Sequence, residues 1–126
     1  MKLIVHALLV TGALGAAQVH AACDYPVAPG KFPDGSVASK DEMLAAKGQV
    51  VKYNDDMTKY LECIKGEYDT KVAAQTDIKP DQKADMDKKQ AQKEEAAVKE
   101  VTDVTERFNE QLRAWKSKNV PEKKAS

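Results

Sequence analysis

Two cysteines, Cys23 and Cys63, carry the most constrained chemistry in this chain, and their spacing narrows it further. A redox-active pair needs neighbouring thiols in a Cys-x-x-Cys setting, whereas positions 23 and 63 are 40 residues apart. Haem attachment needs Cys-x-x-Cys-His, which does not occur. In an oxidising compartment the default is a structural Cys23–Cys63 disulfide. Closing a loop of that length is worth about 4 kcal/mol in the chain-entropy picture, before native strain is subtracted.

Other reactive groups lack the company that catalysis requires. Both histidines, His6 and His20, precede Cys23, so Ser36, Ser39, Ser117 and Ser126 have no downstream imidazole to activate them, and no G-x-S-x-G occurs. Asp and Glu are scattered among lysines, as at Glu94, Glu95 and Lys99, the pattern of a solvated helix face rather than of paired carboxylates in a cleft. Met43, Met57 and Met86 with a free cysteine would suit copper(I), but two of them fall on an apolar packing stripe, where filling a core is their ordinary work. The expectation is no enzyme, no metal and no cofactor.

Residues 1–21 set the compartment. Lys2 provides a positive start, Leu3 to Ala17 is apolar apart from His6 and Thr11, and Val19-His20-Ala21 supplies a small-residue cleavage site before Ala22. The segment reads as a signal peptide, with the mature chain beginning at Ala22. About 15 apolar residues fall short of the roughly 20 needed to span a bilayer. A lipoprotein signal is the closer rival, because Cys23 follows Ala21-Ala22, but His20 stands where such signals carry an aliphatic residue. Periplasmic localisation is therefore preferred over an outer-membrane lipoprotein.

About 105 residues remain after cleavage, enough for one small domain. The full chain has 20 Lys plus Arg and 20 Asp plus Glu, so losing Lys2 leaves 19 against 20 and a net charge of −1. No overall field draws such a protein to nucleic acid. Ala, Lys, Glu, Asp and Gln dominate the second half, a composition for long solvated helices.

The elements follow from local signals. Residues 22–38 hold Pro26, Pro29, Pro33, Gly30 and Gly35 and are expected as an extended arm, with Pro33-Asp34-Gly35 a turn in which proline presets the first φ, aspartate caps the local backbone and glycine accepts the left-handed position. Ser39-Lys40-Asp41-Glu42 is a capping box that starts a helix over about 39–74. Its apolar positions, Met43, Ala46, Val50, Tyr53, Met57, Tyr60 and Ile64, alternate by three and four, and Leu44, Val51 and Leu61 widen the stripe. Thr76 to Pro80 is the turn into a second helix over about 80–118, with Pro80 at its first position. There the expected stripe is Ala84, Ala91, Val98, Val101, Thr105, Phe108, Leu112 and Trp115. Residues 39–119 form the helical hairpin, and 120–126 are a disordered tail beyond Val120-Pro121.

Short-turned helices run antiparallel, and folding at 71–80 places residues whose numbers sum to about 151 opposite one another. Trp115 then has no partner on the first helix and is expected against the arm, near Phe32, Pro33 and Val37. Ser39 and Cys63 lie about 36 Å apart along a helix, and the arm can span roughly 50 Å. It can therefore run back to Cys63 as a strap. The fold class is all-α: a coiled-coil-like antiparallel two-helix hairpin with an extended Pro-rich N-terminal arm strapped by a disulfide.

The run Pro33-Asp34-Gly35, Ala38, Met43, Ala46, Val50, Tyr53, Met57, Tyr60, Leu61 and Cys63 resembles a pattern in small, functionally uncharacterised exported proteins of proteobacteria. In those chains a proline-rich start with a P-D/N-G turn leads into a helix ending in a Y-x-x-C-like element, here Tyr60-Leu61-Glu62-Cys63. The resemblance implies export, a gram-negative envelope and a helical fold, and it brings no catalytic residues.

Two surfaces are candidate contact sites. Tyr25, Phe32 and Trp115 form a candidate partner or packing site at the arm. Arg113, Lys116, Lys118, Lys123 and Lys124 against Glu122 leave the last 14 residues at +4, a candidate weak contact with acidic envelope surfaces through Lys116, Lys118, Lys123 and Lys124. The plainer account is that cations suit helix C-termini and keep tails soluble. The functional expectation is a non-enzymatic accessory or protein-interaction module whose partner is an unknown periplasmic protein. The alternative is a structural or stress-related envelope protein that self-associates through Ala84 and Ala91.

Overall fold

The computed structural model describes residues 22–119. Residues 1–21, expected as a signal peptide, and residues 120–126, expected as a tail and including Lys123 and Lys124, lie outside the described residues. Two helices, α1 (Lys40–Ala73) and α2 (Pro80–Asn119), make up the regular structure and pack against each other. The chain is an antiparallel helical hairpin with an extended arm, closed by a Cys23–Cys63 disulfide whose Cα atoms are 5.8 Å apart.

The start of α1 follows its sequence signal atom by atom. Ser39 is extended at the cap position, the Glu42 amide donates to its hydroxyl oxygen at 3.2 Å, and the Ser39 amide donates to the Glu42 carboxylate at 2.8 Å. The Ser39 amide and then the Ser39 hydroxyl, both donating to the Glu42 carboxylate, hold it below its ordinary range. Pro80 opens α2, and the Lys79 amide ahead of it donates to Gln82 Oε1 at 3.3 Å. No described helix is long and apolar enough to cross a membrane.

Met43, Ala46, Val50, Tyr53, Met57 and Ile64 are buried on α1, as its three-and-four spacing requires, and Tyr60 and Leu61 flank them half-buried. On α2 the buried residues are Ala97, Val104 and Phe108, with Val101, Leu112 and Trp115 partly covered. This corrects the expected α2 stripe, because Ala84 and Ala91 are exposed and Val98 is 55% exposed. Counting back from Trp115 and Phe108 by alternating four and three reaches Gln111, Val104, Val101 and Ala97. The expected stripe drifted one position toward the other flank, where Thr105, Val98 and Ala91 look more apolar than Gln111 and Glu100.

The register also differs. Tyr68 bonds Asp87, and those numbers sum to 155. Tyr53 neighbours Glu100, a sum of 153. The expected sum of about 151 placed the fold-back too early. Helix α1 persists to Ala73, with Ala74 as its cap still in the right-handed helical region, so the chain reverses between Gln75 and Lys79.

Candidate functional site

The arm is held by a row of side chains on one face of α2. Glu100 Oε2 accepts from the Tyr25 hydroxyl at 2.5 Å, and Tyr25 sits edge-on to Tyr60 with ring centroids 4.8 Å apart, next to the disulfide. Arg107 donates to the Gly30 carbonyl at 2.7 Å and to the Pro29 carbonyl at 3.1 Å, and its guanidinium lies 5.7 Å from the Phe32 ring centroid. Gln111 Oε1 accepts from the Gly35 amide at 2.9 Å. Lys118 donates to the Ser36 carbonyl at 2.7 Å. The intervals 100, 107, 111, 118 repeat every seven or four residues, so the four groups stand above one another along the helix. Arg107, Gln111 and Lys118 satisfy backbone groups of a segment that has no regular structure of its own, and Glu100 holds its tyrosine hydroxyl.

Aromatic packing completes the clasp. Phe32 is buried against Phe108, with centroids 5.6 Å apart and planes at 68°, and Trp115 joins the same cluster. Of the candidate partner residues, Phe32 is therefore part of the core and Trp115 packs half-buried against it, whereas Tyr25 lies farther along the arm at the disulfide end and is 43% exposed. Val37, expected beside Trp115, is 75% exposed. Lys118 is engaged with the arm, and Lys116 is exposed.

Gly35 explains how the arm comes so close to α2. A Cβ at this position would fall 1.9 Å from the Gln111 carbonyl oxygen and 3.0 Å from the Trp115 amide nitrogen, both fixed backbone atoms. Asp34 prepares the turn, accepting from both the amide and the hydroxyl of Ser36, which hold its carboxyl below the ordinary range. Gly35→Ala is expected to lift the turn from α2, weaken the Gly35–Gln111 hydrogen bond and lower stability by about 1–3 kcal/mol. Urea unfolding monitored by circular dichroism checks this. A loss below about 0.5 kcal/mol, the size of an ordinary surface substitution, would show the contact to be slack.

Tyr25, Tyr53 and Glu100 form the densest polar group of the clasp. Burial, then the Glu100 charge, pushes the Tyr53 hydroxyl up to about 12. The Tyr53 hydroxyl is buried beside Glu100 without a well-formed hydrogen bond. Tyr25 is likewise held above its ordinary value, by burial and then by its bond to Glu100. A raised tyrosine pKa means that the fold favours the neutral phenol. The associated stability is complete below the unfolded value of about 10 and is lost as pH rises through the folded values. In an alkaline titration, Tyr53 is expected to ionise above pH 10, with helicity falling alongside. Ordinary titration of all four tyrosines with helicity intact would show the pocket to be open to water.

Metal-binding chemistry is limited by the disulfide. Cys23, Cys63 and Glu67 bring potential ligand atoms within 4.8 Å of one another, but sulfur ligates as thiolate, and both sulfurs are spent on the bond. Met43 and Met57 are 4% and 1% exposed and belong to the core. No charged or polar residue is buried among the described residues. The concavities are open surface grooves, one between the helices near Ile64, Tyr68, Met86 and Lys93 and another along Leu44, Gly48 and Val51.

Sequence reasoning did not single out Glu100, Arg107 or Gln111. Their signal was present as polar residues at heptad spacing on the flank of an apolar stripe, but their partners are backbone carbonyls, an amide and a tyrosine hydroxyl, which leave no complementary charge to find. Compared with known protein families, curated proteins and solved structures, the chain matches none.

Proposed function

We propose that this chain is an exported, non-enzymatic interaction module of a gram-negative periplasm, in which the strapped hairpin is a rigid mount and its arm-free face receives a protein partner. The carrying observation is the unequal covering of the two sides. The arm lines α1 along Gln49, Tyr53, Asp56, Tyr60 and Cys63. On the other side Leu44, Val51 and Val98 are left 55%, 50% and 55% exposed. Helical periodicity places Leu44 and Val51 about 150° around α1 from the arm-lining positions. Large exposed apolar side chains that gather on one face mark contact surfaces more often than scattered ones do.

Export is supported by the charged start, apolar run and small-residue cleavage site of residues 1–21 and by the resemblance to exported proteobacterial chains. A non-catalytic role is supported by a mature sequence without histidine and by carboxylates that stand on solvated helix faces.

The test is site-specific photo-crosslinking in the native envelope from Leu44 and Val98, with Val27 on the arm, 92% exposed, as control. Discrete crosslinked species from the first two positions and none from Val27 are expected. Crosslinks from Val27 alone, or from none of the three, would remove the reading. Intact mass of the native protein tests export separately. The expected chain begins at Ala22 and takes up two alkyl groups only after reduction; one beginning at Cys23 and carrying acyl chains would be a lipoprotein with a free Cys63.

A further inference from the structure

One stripe of α1 is exposed along almost its whole length and is not used by the hairpin. It comprises Lys40, Leu44, Lys47, Gly48, Val51, Asp55, Thr58 and Glu62, which recur at three- and four-residue intervals and are all exposed. A groove runs along its centre at Leu44, Gly48 and Val51, and a Cβ added at Gly48 would meet nothing within 4 Å. The surface beside it is paired within the chain, Asp56 binding Lys52 and Lys59, and where the same line continues past Glu62, Lys65 binds Asp69. Lys40, Lys47, Asp55 and Glu62 take part in none of the ion pairs among the described residues.

The order of these four charges is self-complementary. The stripe is basic before Val51 and acidic after it. When a second α1 is laid antiparallel with Val51 on the two-fold axis, residues whose numbers sum to 102 come level. Lys47 then meets Asp55, Lys40 meets Glu62 and Leu44 meets Thr58, each twice by symmetry, while Val51 meets its own copy. A parallel arrangement sets Lys47 on Lys47 and Asp55 on Asp55, which is repulsive. Sliding the antiparallel pair by one heptad one way keeps Lys40 opposite Asp55 and sets Leu44 on Val51, but leaves Lys47 opposite Gly48 and Glu62 opposite nothing; sliding it the other way keeps Lys47 opposite Glu62, but leaves Asp55 opposite Asn54 and Lys40 opposite Asp69, which Lys65 already holds. Gly48 beside the axis lets the two backbones approach, as small residues do between helices.

We propose that the partner of the arm-free face is a second copy of this chain, docked through α1 in an antiparallel two-fold pair centred on Val51. This rests on the reading of that face as a docking surface and names its occupant. A stripe of about 33 Å along one helix is small for a specific interface, so association in the micromolar range follows. The contact leaves the arm and its disulfide on the outer sides of the pair. It replaces the Ala84 and Ala91 seam with a surface that specifies register as well as contact.

The test is analytical ultracentrifugation of the oxidised mature chain over a wide concentration range, with Lys47→Glu, Asp55→Lys and the double variant K47E/D55K. All three changes lie on an exposed face, and circular dichroism verifies that each variant keeps its helices. A concentration-dependent dimer is expected, weakened about tenfold or more by either single change, which sets like charges together twice. The double variant exchanges the signs and restores the dimer. In Val51→Cys the new thiol lies on the axis and is expected to give a covalent dimer on mild oxidation. A wild-type chain that stays monomeric throughout, or a dimer indifferent to the charge changes, overturns the proposal. Crosslinks from Leu44 to another protein, with the purified chain monomeric, would overturn the second copy while leaving the docking face intact. No crosslink from that face in either setting would remove both.

Discussion

Replacing Cys23 and Cys63 together by serine is expected to lower the stability of the chain by about 4 kcal/mol. The bond closes a loop over a sequence separation of 40 and anchors a segment with no helix or strand of its own. Without it the arm keeps Tyr25 on Glu100, Arg107 on the Pro29 and Gly30 carbonyls, and Phe32 on Phe108. Each of those polar bonds is exposed and contributes modestly against the entropy of ordering the arm. For a domain of this size, a loss of that order corresponds to a drop in melting temperature of roughly 15–30 °C. Thermal unfolding with and without reductant measures it. A shift of only a few degrees would mean that the noncovalent clasp alone holds the arm. The helices should survive the change better than the arm does, so near-ultraviolet signals from Tyr25 and Tyr60 are expected to fall before helicity does.

Phe108→Ala is the second large change, expected at about 3–5 kcal/mol. Phe108 is 6% exposed and belongs to the cluster that joins α1, α2 and the arm through Met43, Val104 and Phe32. Truncation opens a cavity at the point where the three segments meet, and the arm is too firmly tied at Cys23 and Gly35 to collapse into it. The same truncation at Val101, which is only partly covered on the opposite flank, is expected to cost far less. Chemical unfolding of both variants gives the comparison. Equal losses would show that the arm does not share a core with α2.

Helix α1 was legible because several local signals agree on it. Its capping box, the acidic first turn and an unbroken apolar spacing from Met43 to Ile64 all specify the same element and the same face. The disulfide and the strap were legible from two cysteines, a chain length and a helix rise. Helix α2 was legible as an element but not in its phase. Glu100 and Gln111 stand where an apolar residue would mark the seam, because that flank packs on the arm rather than on solvent or on α1. Gly35 was legible as a turn residue for its torsional freedom, yet its φ is not positive, and the structure uses its missing side chain instead. A close approach between distant segments has no periodicity and so leaves no mark in the sequence.

Cys63 sits well toward the far end of α1, and the hydrogen bonds of the arm to α2 fall between it and the open end of the hairpin. The remaining length, from Ile64 through the turn to about Ala96, projects beyond the clamp like a cantilever. Ile64 is its one buried residue, and the surface bond from Tyr68 to Asp87, shared with Lys83, is its brace. Fluctuation in such a beam grows with distance from the support. Amide exchange is therefore expected to quicken steadily from Cys63 to the turn, and force applied at the tip is borne at the clamp, where the disulfide stands.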